Sequence, residues 1–245
     1  MKKIFAVLVI IFTTSNLLAQ SVAINSDGST ANASAILDVK STSKGFLPPR
    51  MDSTQRNAIA SPATGLTIYN TTINAFQCYN GTAWYSTVHF VGENYGGGIV
   101  YYVYDNGQHG LIASGADQST GIRWGANTSF TRAEADGING GLINTAIIIG
   151  NQASVDGNQF AATLCNAYSS AMAGVTYSGW YLPSKYELNL LYLQRVLVGG
   201  FASADYWSST EQGNGGANNQ HFGTGAQTVS SKSVATINVR AIRSF

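Results

Sequence analysis

An α+β fold with two unequal parts is predicted from three patterns in the sequence. Residues 76–85 form two short aromatic segments around an Asn-Gly pair, which predicts a β-hairpin. Apolar residues recur every four positions over residues 159–173, which predicts one helix. Ser184, followed three residues later by Glu187, predicts the capped start of a second helix that ends at Gly199. Strands therefore dominate the first part, whereas helices and strands mix in the second.

The first 20 residues predict a Sec-type signal peptide. Two lysines precede an unbroken apolar run at residues 4–12, and the small residue Ala19 before Gln20 suits cleavage. The apolar run is about half the ~18 residues that a membrane-spanning helix needs, which disfavours the alternative of an N-terminal membrane anchor. No Cys follows the cleavage region, so a lipoprotein anchor is not expected. We expect a secreted, extracellular or cell-surface protein without a membrane span in the mature chain.

The composition is unusually poor in charge. Only 10% of the residues are charged, against roughly 25% in ordinary globular proteins, and the formal net charge is +1. No basic stripe is present to neutralise phosphates, which argues against nucleic acid as a partner. The polar residues are mostly Asn, Gln, Ser, Thr and Gly, whose uncharged groups suit neutral sugar hydroxyls. An inert exported surface is the alternative explanation of this composition.

The first mature part, residues 21–88, contains short β segments joined by turn residues. Strands are predicted at residues 35–39 and 65–70, with a short helix capped by Asp52 or Ser53 between them. Few apolar residues are available for a core, and a sheet this small rarely stands alone in water. We expect this part to bury its face against identical copies or against the second part.

Four segments of the first part carry a family resemblance. They are GFLPPRM at residues 45–51, QR at 55–56, PATGLTIYN at 62–70 and YNGTAW at 79–84. With these segments the first part resembles a short module found in bacterial surface proteins and phage tail-fibre-like proteins. The resemblance implies a connector or a homotrimerising stalk.

The second part, residues 89–245, begins after a boundary placed near residues 86–90. An aromatic and β-branched segment at residues 99–104 and a returning segment at residues 109–113 predict two paired strands. A long Gly-, Asn- and Thr-rich stretch at residues 114–144 predicts a loop, and loops of such length are often functional.

The chain is predicted to end in a strand at residues 236–245. Ile237, Val239 and Ala241 alternate on one face of this strand, and Arg243 would follow on the same face. Either Arg243 pairs inside the protein or a bulge shifts the register.

Four segments of the second part, in order, carry a further resemblance. They are GENYGGGIVYYV at residues 92–103, GWYLPSKYEL at 179–188, YWSSTE at 206–211 and VRAIR at 239–243. They resemble the C-terminal domain family of the collagen-like adhesin Lcl. The resemblance implies a C-type-lectin-like fold, with two helices on a twisted antiparallel sheet and long loops. It also implies a polysaccharide or surface glycan as partner, although the low charge of this chain weakens the case for a sulfated one.

Several residues of the second part are predicted to be structural. The tryptophans are expected in the core, because large aromatic side chains dominate protein interiors. Glu187 is expected to cap its helix, with an ion pair to Arg240 as the alternative. The structural residues are Trp180, Ser184, Glu187, Trp207, Arg240 and Arg243.

A polar segment at residues 211–221 joins two predicted strands and supplies the candidate ligand-binding residues. In C-type-lectin-like folds this long-loop side commonly carries ligands. Carboxylate and amide oxygens are also the groups that Ca²⁺ prefers, but the Glu-Pro-Asn and Trp-Asn-Asp signatures of calcium-binding lectins are absent. A polar, solvated hairpin loop is favoured over a calcium site, and no cofactor is assigned. The candidates are Asp205, Glu211, Asn214, Asn218, Asn219 and His221.

The sequence offers no catalytic or metal site. His89, His109 and His221 are the three histidines, and none has the spacing of paired metal ligands. Cys78 and Cys165 lie outside nucleophile motifs; they either form one disulfide or, as we favour, remain free thiols.

Three functions are compatible with these observations. The first is a non-enzymatic exported adhesin or glycan-binding surface component. The second is a structural or assembly protein of a surface fibre, with the C-terminal domain as a cap. The third, an exported hydrolase, needs two carboxylates about 5 to 10 Å apart in a cleft and is the least favoured.

Overall fold

The computed structural model describes residues 21–152 and 157–245. The predicted signal peptide at residues 1–20 lies outside the described residues. Contacts divide the chain into two compact units, residues 1–50 and residues 51–245. The predicted domain boundary between residues 88 and 89 falls inside the second unit and stays a prediction. Both helices and strands are present, so the α+β class is confirmed.

The described part of the first unit is built on a two-stranded parallel sheet. Strand β1 (Val22–Ile24) pairs with β2 (Leu37–Val39), which lies inside the segment predicted as a strand. The loop between them is held by its own polar groups: the Asp27 carboxylate accepts hydrogen bonds from the backbone N–H and hydroxyl of Ser29. Residues 40–49 continue without a helix or strand and, apart from Pro48, are exposed.

The second unit starts with a small four-stranded sheet and one short helix. The sheet order is β3-β4-β5-β6, and the hairpin predicted around Asn80-Gly81 is confirmed as β5 and β6. The helix is capped by Asp52, whose side chain accepts the N–H of Gln55 while the Gln55 side chain accepts the N–H of Asp52. The elements are β3 (Arg50–Met51), α1 (Ser53–Asn57), β4 (Thr67–Asn70), β5 (Ala75–Tyr79) and β6 (Trp84–Ser86).

A second four-stranded sheet, in the order β15-β9-β8-β7, confirms the strand pair predicted from the aromatic segment. The chain reverses between β8 and β9 through a 3-10 turn in which Asn106 adopts a left-handed backbone, a conformation that Asn tolerates. The strands are β7 (Asn94–Tyr95), β8 (Gly98–Tyr104), β9 (His109–Ala113) and β15 (Ile242–Ser244).

Two further sheets are antiparallel. One is a three-stranded sheet in the order β12-β13-β14, and the other is the isolated hairpin of β10 and β11. Their strands are β10 (Ser170–Met172), β11 (Val175–Tyr177), β12 (Asp205–Gln212), β13 (Gly216–His221) and β14 (Gln227–Ser231).

Four further helices of the second unit lie among the described residues, and two predictions about them were wrong. The helix predicted at residues 159–173 ends at Ala167, and Tyr168 is already extended. The apolar recurrence continues because a β-hairpin follows, turning at Ala173 and Gly174 with positive φ at both residues. The long loop predicted to reach residue 144 instead ends at the start of a helix that periodicity did not reveal. The helices are α2 (Gly140–Gln152), α3 (Ala161–Ala167), α4 (Lys185–Leu193) and α5 (Arg195–Val198).

Two apolar clusters form the core of the second unit. Trp124, Trp180 and Trp207 are buried in the first cluster, and each indole N–H donates to a backbone carbonyl. The core positions predicted for Trp180 and Trp207 are therefore confirmed. Tyr101 and Tyr206 lie in the second cluster with Leu, Ile and Phe side chains. None of the helices within the described residues has the length and apolarity needed to cross a membrane.

The chain end departs from the predicted alternation. Every residue from Ile237 to Ile242 is buried, so the two faces of this segment do not differ. The reason is that it lies between other segments: Val239 bridges to Ser119, and the regular strand begins only at Ile242. Arg243 is half-buried, and its guanidinium donates to the carbonyl of Gly96 and lies over the Tyr177 ring.

Candidate functional site

The carboxylate of Glu211, at the end of β12, is engaged inside the protein. It accepts hydrogen bonds from the backbone N–H groups of Thr131 and Arg132 at 2.7 to 2.9 Å and forms an ion pair with Lys232. The side chains of Glu211 and Lys232 are both fully buried. The ammonium of Lys232 also donates to the carbonyls of Ser129 and Asn214. This pair therefore joins β12 to two loops.

The asparagines of β13 are also satisfied within the sheet. The side-chain amide of Asn218 donates to the carbonyl of Thr210 on β12. Asn219 donates to the hydroxyl of Ser230 and accepts from the hydroxyl of Thr228, both on β14. Both asparagines are buried, so their amides stabilise the three-stranded sheet and are turned away from solvent.

The remaining ligand candidates lie at the opposite end of the same sheet. Asp205 and His221 are register partners at the outer end of β12 and β13. The Nδ1 atom of His221 accepts from the backbone N–H groups of Gly223 and Thr224. The structure thus brings Glu211 and Asn214 together around Lys232, and it leaves the other four candidates spread along the sheet. Among the described residues, no group of three His, Cys, Asp or Glu side chains is placed to hold a metal ion.

Glu187 forms the predicted capping box with Ser184 and extends it. Its carboxylate accepts from the N–H groups of Ser184, Asn139 and Gly141 and from the hydroxyl of Tyr181. The start of α4 is therefore tied to the start of α2. Burial raises the pKa of Glu187, while these hydrogen bonds act in the opposite direction. The alternative ion pair between Glu187 and the last strand was wrong.

Arg240 instead pairs with Asp117, from the segment predicted as a loop. Its Nε atom lies 2.6 Å from the Asp117 carboxylate, and its other nitrogens donate to backbone carbonyls, among them Gly200. The guanidinium also lies 4.0 Å from the centre of the Phe201 ring. Arg240 thus joins the chain end to Asp117 and to residues 200–201, and Asp117 and Lys232 are the partners that sequence reasoning missed.

The two cysteines are free thiols. Cys165 is buried, and desolvation raises the pKa of its thiol well above the usual range. Cys78 is half-buried on β5.

Exposed apolar side chains are concentrated in the described part of the first unit. Ile36 and Leu47 are 77% and 72% exposed, and the five others are at least 43% exposed. Large aliphatic and aromatic residues are normally buried, and parallel sheets normally have both faces covered. The sequence predicted that this part of the chain buries a face against another protein surface, but it did not show which residues form that face. The seven are Val22, Ile24, Ile36, Leu37, Val39, Phe46 and Leu47; they are called the N-terminal apolar surface below.

A second surface, formed by aromatic rings and asparagine side chains, lies at the turn between β8 and β9. The rings of Tyr102, Tyr104 and His109 follow one another, with centroids 6.2 and 5.6 Å apart. A cavity of about 440 Å³ next to Tyr104 is lined in part by Asn74 and Asn106. The surface therefore combines ring faces with neutral amides.

Comparison with known proteins addresses the first of these surfaces. Residues 23–100, about a third of the chain, match the family model described as a phage tail like trimerisation region. No curated protein matches the chain. The matched range contains most of the N-terminal apolar surface and the whole sheet from β3 to β6. Residues 23–100 are therefore similar to a tail-fibre-like trimerisation region, in line with the resemblance of the first part.

Proposed function

We propose that this protein is an exported homotrimeric surface component, in which residues 21–88 form a stalk or connector and residues 89–245 form the displayed domain. The observation that carries the proposal is the N-terminal apolar surface, because it lies almost entirely in the matched trimerisation region. Residues 1–20 direct export in this proposal, and the role is structural and binding rather than catalytic.

The energetics favour association. Fully burying one Val, Leu, Ile or Phe side chain contributes roughly 1.5–3 kcal/mol. The seven side chains of the surface are about half exposed or more, so covering them supplies several kcal/mol per chain. A contribution of this size is needed to offset the entropy that the chains lose on association.

The test is the mass of the mature protein in solution, measured by light scattering and native mass spectrometry. Wild type is expected at three times the chain mass. Ile36→Asp should shift it to the monomer, because the side chain is exposed in one chain but would be buried unpaired in an apolar interface. Val196→Asp is the matched control, since Val196 on α5 is 88% exposed and lies outside the matched region. A wild-type monomer at high concentration would contradict the proposal.

A second proposed function concerns the displayed domain, which we take to have a C-type-lectin-like fold and to bind a neutral glycan. The resemblance to the Lcl domain family supports this. The specific observation in its favour is the surface of Tyr102, Tyr104 and His109 beside two exposed asparagines. Ring faces stack on the apolar faces of sugars, and amides exchange hydrogen bonds with hydroxyls.

A glycan array with the assembled wild-type protein tests this second function. Binding should be lost on Tyr104→Ala and retained on Tyr186→Ala, a matched change at an exposed tyrosine on α4. Binding that both variants lose equally, or no binding by correctly folded protein, argues against a glycan site at this surface.

A further inference from the structure

The sheet from β3 to β6 has two unlike faces, and the register defines them. Ile68 and Gln77 are opposite each other on β4 and β5, as are Asn70 and Ala75, and the four side chains share one face. All four are at most 3% exposed. This face is the covered one.

The covered face is held largely by hydrogen bonds. The Gln77 carbonyl oxygen accepts from the amide of Asn70 at 2.8 Å and from the guanidinium of Arg56, on α1, at 2.7 Å. The Gln77 amide donates to the hydroxyl of Ser86 on β6 at 3.2 Å. Arg56 also lies over the Trp84 ring. A polar network therefore lies on the covered face, beside Ile68, Ala75 and the ring pair of Tyr79 and Trp84.

The opposite face also carries aromatic rings, and two of them are exposed. Tyr69 and Phe76 are register partners in edge-to-face contact, with centroids 5.5 Å apart, and Cys78 is the register partner of Tyr85. Phe76 is 43% exposed and Tyr85 is 59% exposed. We call these four residues, Tyr69, Phe76, Cys78 and Tyr85, the ring face. The sheet therefore exposes aromatic side chains on this face, while Asn70 and Gln77 are buried on the other.

The two apolar core clusters of the second unit do not extend to the sheet from β3 to β6. Within the described residues, neither core cluster includes a residue of β3, β4, β5 or β6. Three or more strands become stable when they bury an apolar face, and covering the ring face would add to the apolar area that this sheet buries.

We infer that the ring face is a contact surface for a second copy of the chain in the trimer, separate from the N-terminal apolar surface. The inference rests on the proposed trimer. The occupant is a second copy because the whole ring face lies within the matched trimerisation region. Its four side chains carry no charge, so a neighbour of the same composition can cover it without leaving a buried ion unpaired.

The experiment compares Tyr85→Lys and Phe76→Lys with Tyr186→Lys in the mature protein. Both ring-face side chains are already exposed in a single chain, so lysine there leaves the covered face and its hydrogen bonds in place. Each ring-face variant is expected to fall to about one third of the wild-type mass at dilution, because lysine would be buried unpaired between copies of a symmetric oligomer. Tyr186→Lys, the same change at a 43% exposed tyrosine of α4, should keep the trimer mass.

Labelling of Cys78 by a maleimide provides a second readout. Cys78 on the ring face should react slowly in the wild-type trimer and faster in the Tyr85→Lys variant. Cys165 is fully buried with a raised pKa and should stay unlabelled in both, which reports that the fold is intact.

The possible results distinguish a failure of the ring-face interface from a failure of the proposed trimer. If Ile36→Asp dissociates the protein while both ring-face variants keep its mass and slow labelling, the trimer stands and the ring face is not part of its interface. If wild type is a monomer, both proposals fail. Dissociation by the ring-face variants, with folded chains and an unaffected Tyr186→Lys control, supports the inference.

Discussion

At the scale of single residues, the buried pair of Glu211 and Lys232 gives a direct prediction. Lys232→Met leaves the Glu211 carboxylate fully buried beside backbone N–H groups but without its cation. Removing one partner of a buried ion pair typically costs about 3–5 kcal/mol. The free energy of unfolding, measured with denaturant, should fall by about that amount.

Lys185→Met is the control for this change, because Lys185 is only half-buried and has no ion pair within the described residues. The double variant Glu211→Gln with Lys232→Met should recover part of the loss, because it removes the unpaired charge. Equal losses in Lys232→Met and Lys185→Met would show that the pair has no stabilising role.

The second residue-scale prediction concerns Glu187 and pH. Burial raises its pKa in the folded protein above the ordinary value of 4.5. The folded state then holds the proton at a higher pH than the unfolded state, so the contribution of Glu187 to stability is present below pH 4.5 and is lost as pH rises through the folded pKa. The free energy of unfolding of wild type minus that of Glu187→Gln should therefore decrease with rising pH. A difference that increases would mean that the four hydrogen bonds to the carboxylate outweigh its burial.

Residue-scale features were predictable from the sequence where both partners are close in the chain. Ser184 and Glu187 are three residues apart, and their capping box was predicted correctly. Arg240 and its partner Asp117 are separated by 123 positions, so no local pattern joins them. The same holds for Glu211, whose cation, Lys232, follows the next two strands in the chain. The six residues were therefore proposed as ligand candidates, although folding pairs the side chains of Glu211, Asn218 and Asn219 with other residues of the protein.

At the scale of elements, the periodicity of apolar residues did not predict where α3 ends or that α2 exists. The apolar recurrence up to Met172 is compatible with a helix, but positive φ at Ala173 and Gly174 favours a tight hairpin turn. Helix α2 was missed because it begins with Gly140 and Gly141, which are poor helix formers and which the sequence suggested were loop residues.

The start of α2 gives an element-scale prediction with an internal control. A Cβ atom on Gly141 would lie 2.5 Å from a carboxylate oxygen of Glu187 and from the carbonyl of Leu182. Gly141→Ala should therefore destabilise the protein by about 1–3 kcal/mol, as overpacking typically does. Gly150, later in the same helix, has open space around it, so Gly150→Ala should stabilise the protein by roughly 0.5–1 kcal/mol. Denaturant unfolding of both variants measures the contrast, and equal effects would contradict it.

At the scale of the whole molecule, stability should depend on assembly. The β1–β2 sheet buries none of its apolar side chains in a single chain, whereas the second unit has two core clusters of its own. Association stabilises the folded state by mass action. Amide protection of β1 and β2 in hydrogen exchange should therefore rise with protein concentration, while protection of β8 and β12 should not. Concentration-independent protection of β1 and β2 would indicate that one chain holds this sheet by itself.

The exposed segment at residues 40–49 has a consequence for the lifetime of an unassembled chain. The segment runs without helix or strand in the single chain, and exposed backbone of this kind is where proteases cut most readily. It contains Phe46 and Leu47 of the N-terminal apolar surface and precedes the ring face in the chain. Cleavage there would separate β1 and β2 from the ring face, so that neither fragment carries both surfaces of the proposed trimer. Proteolysis would thus remove unassembled copies and spare assembled ones.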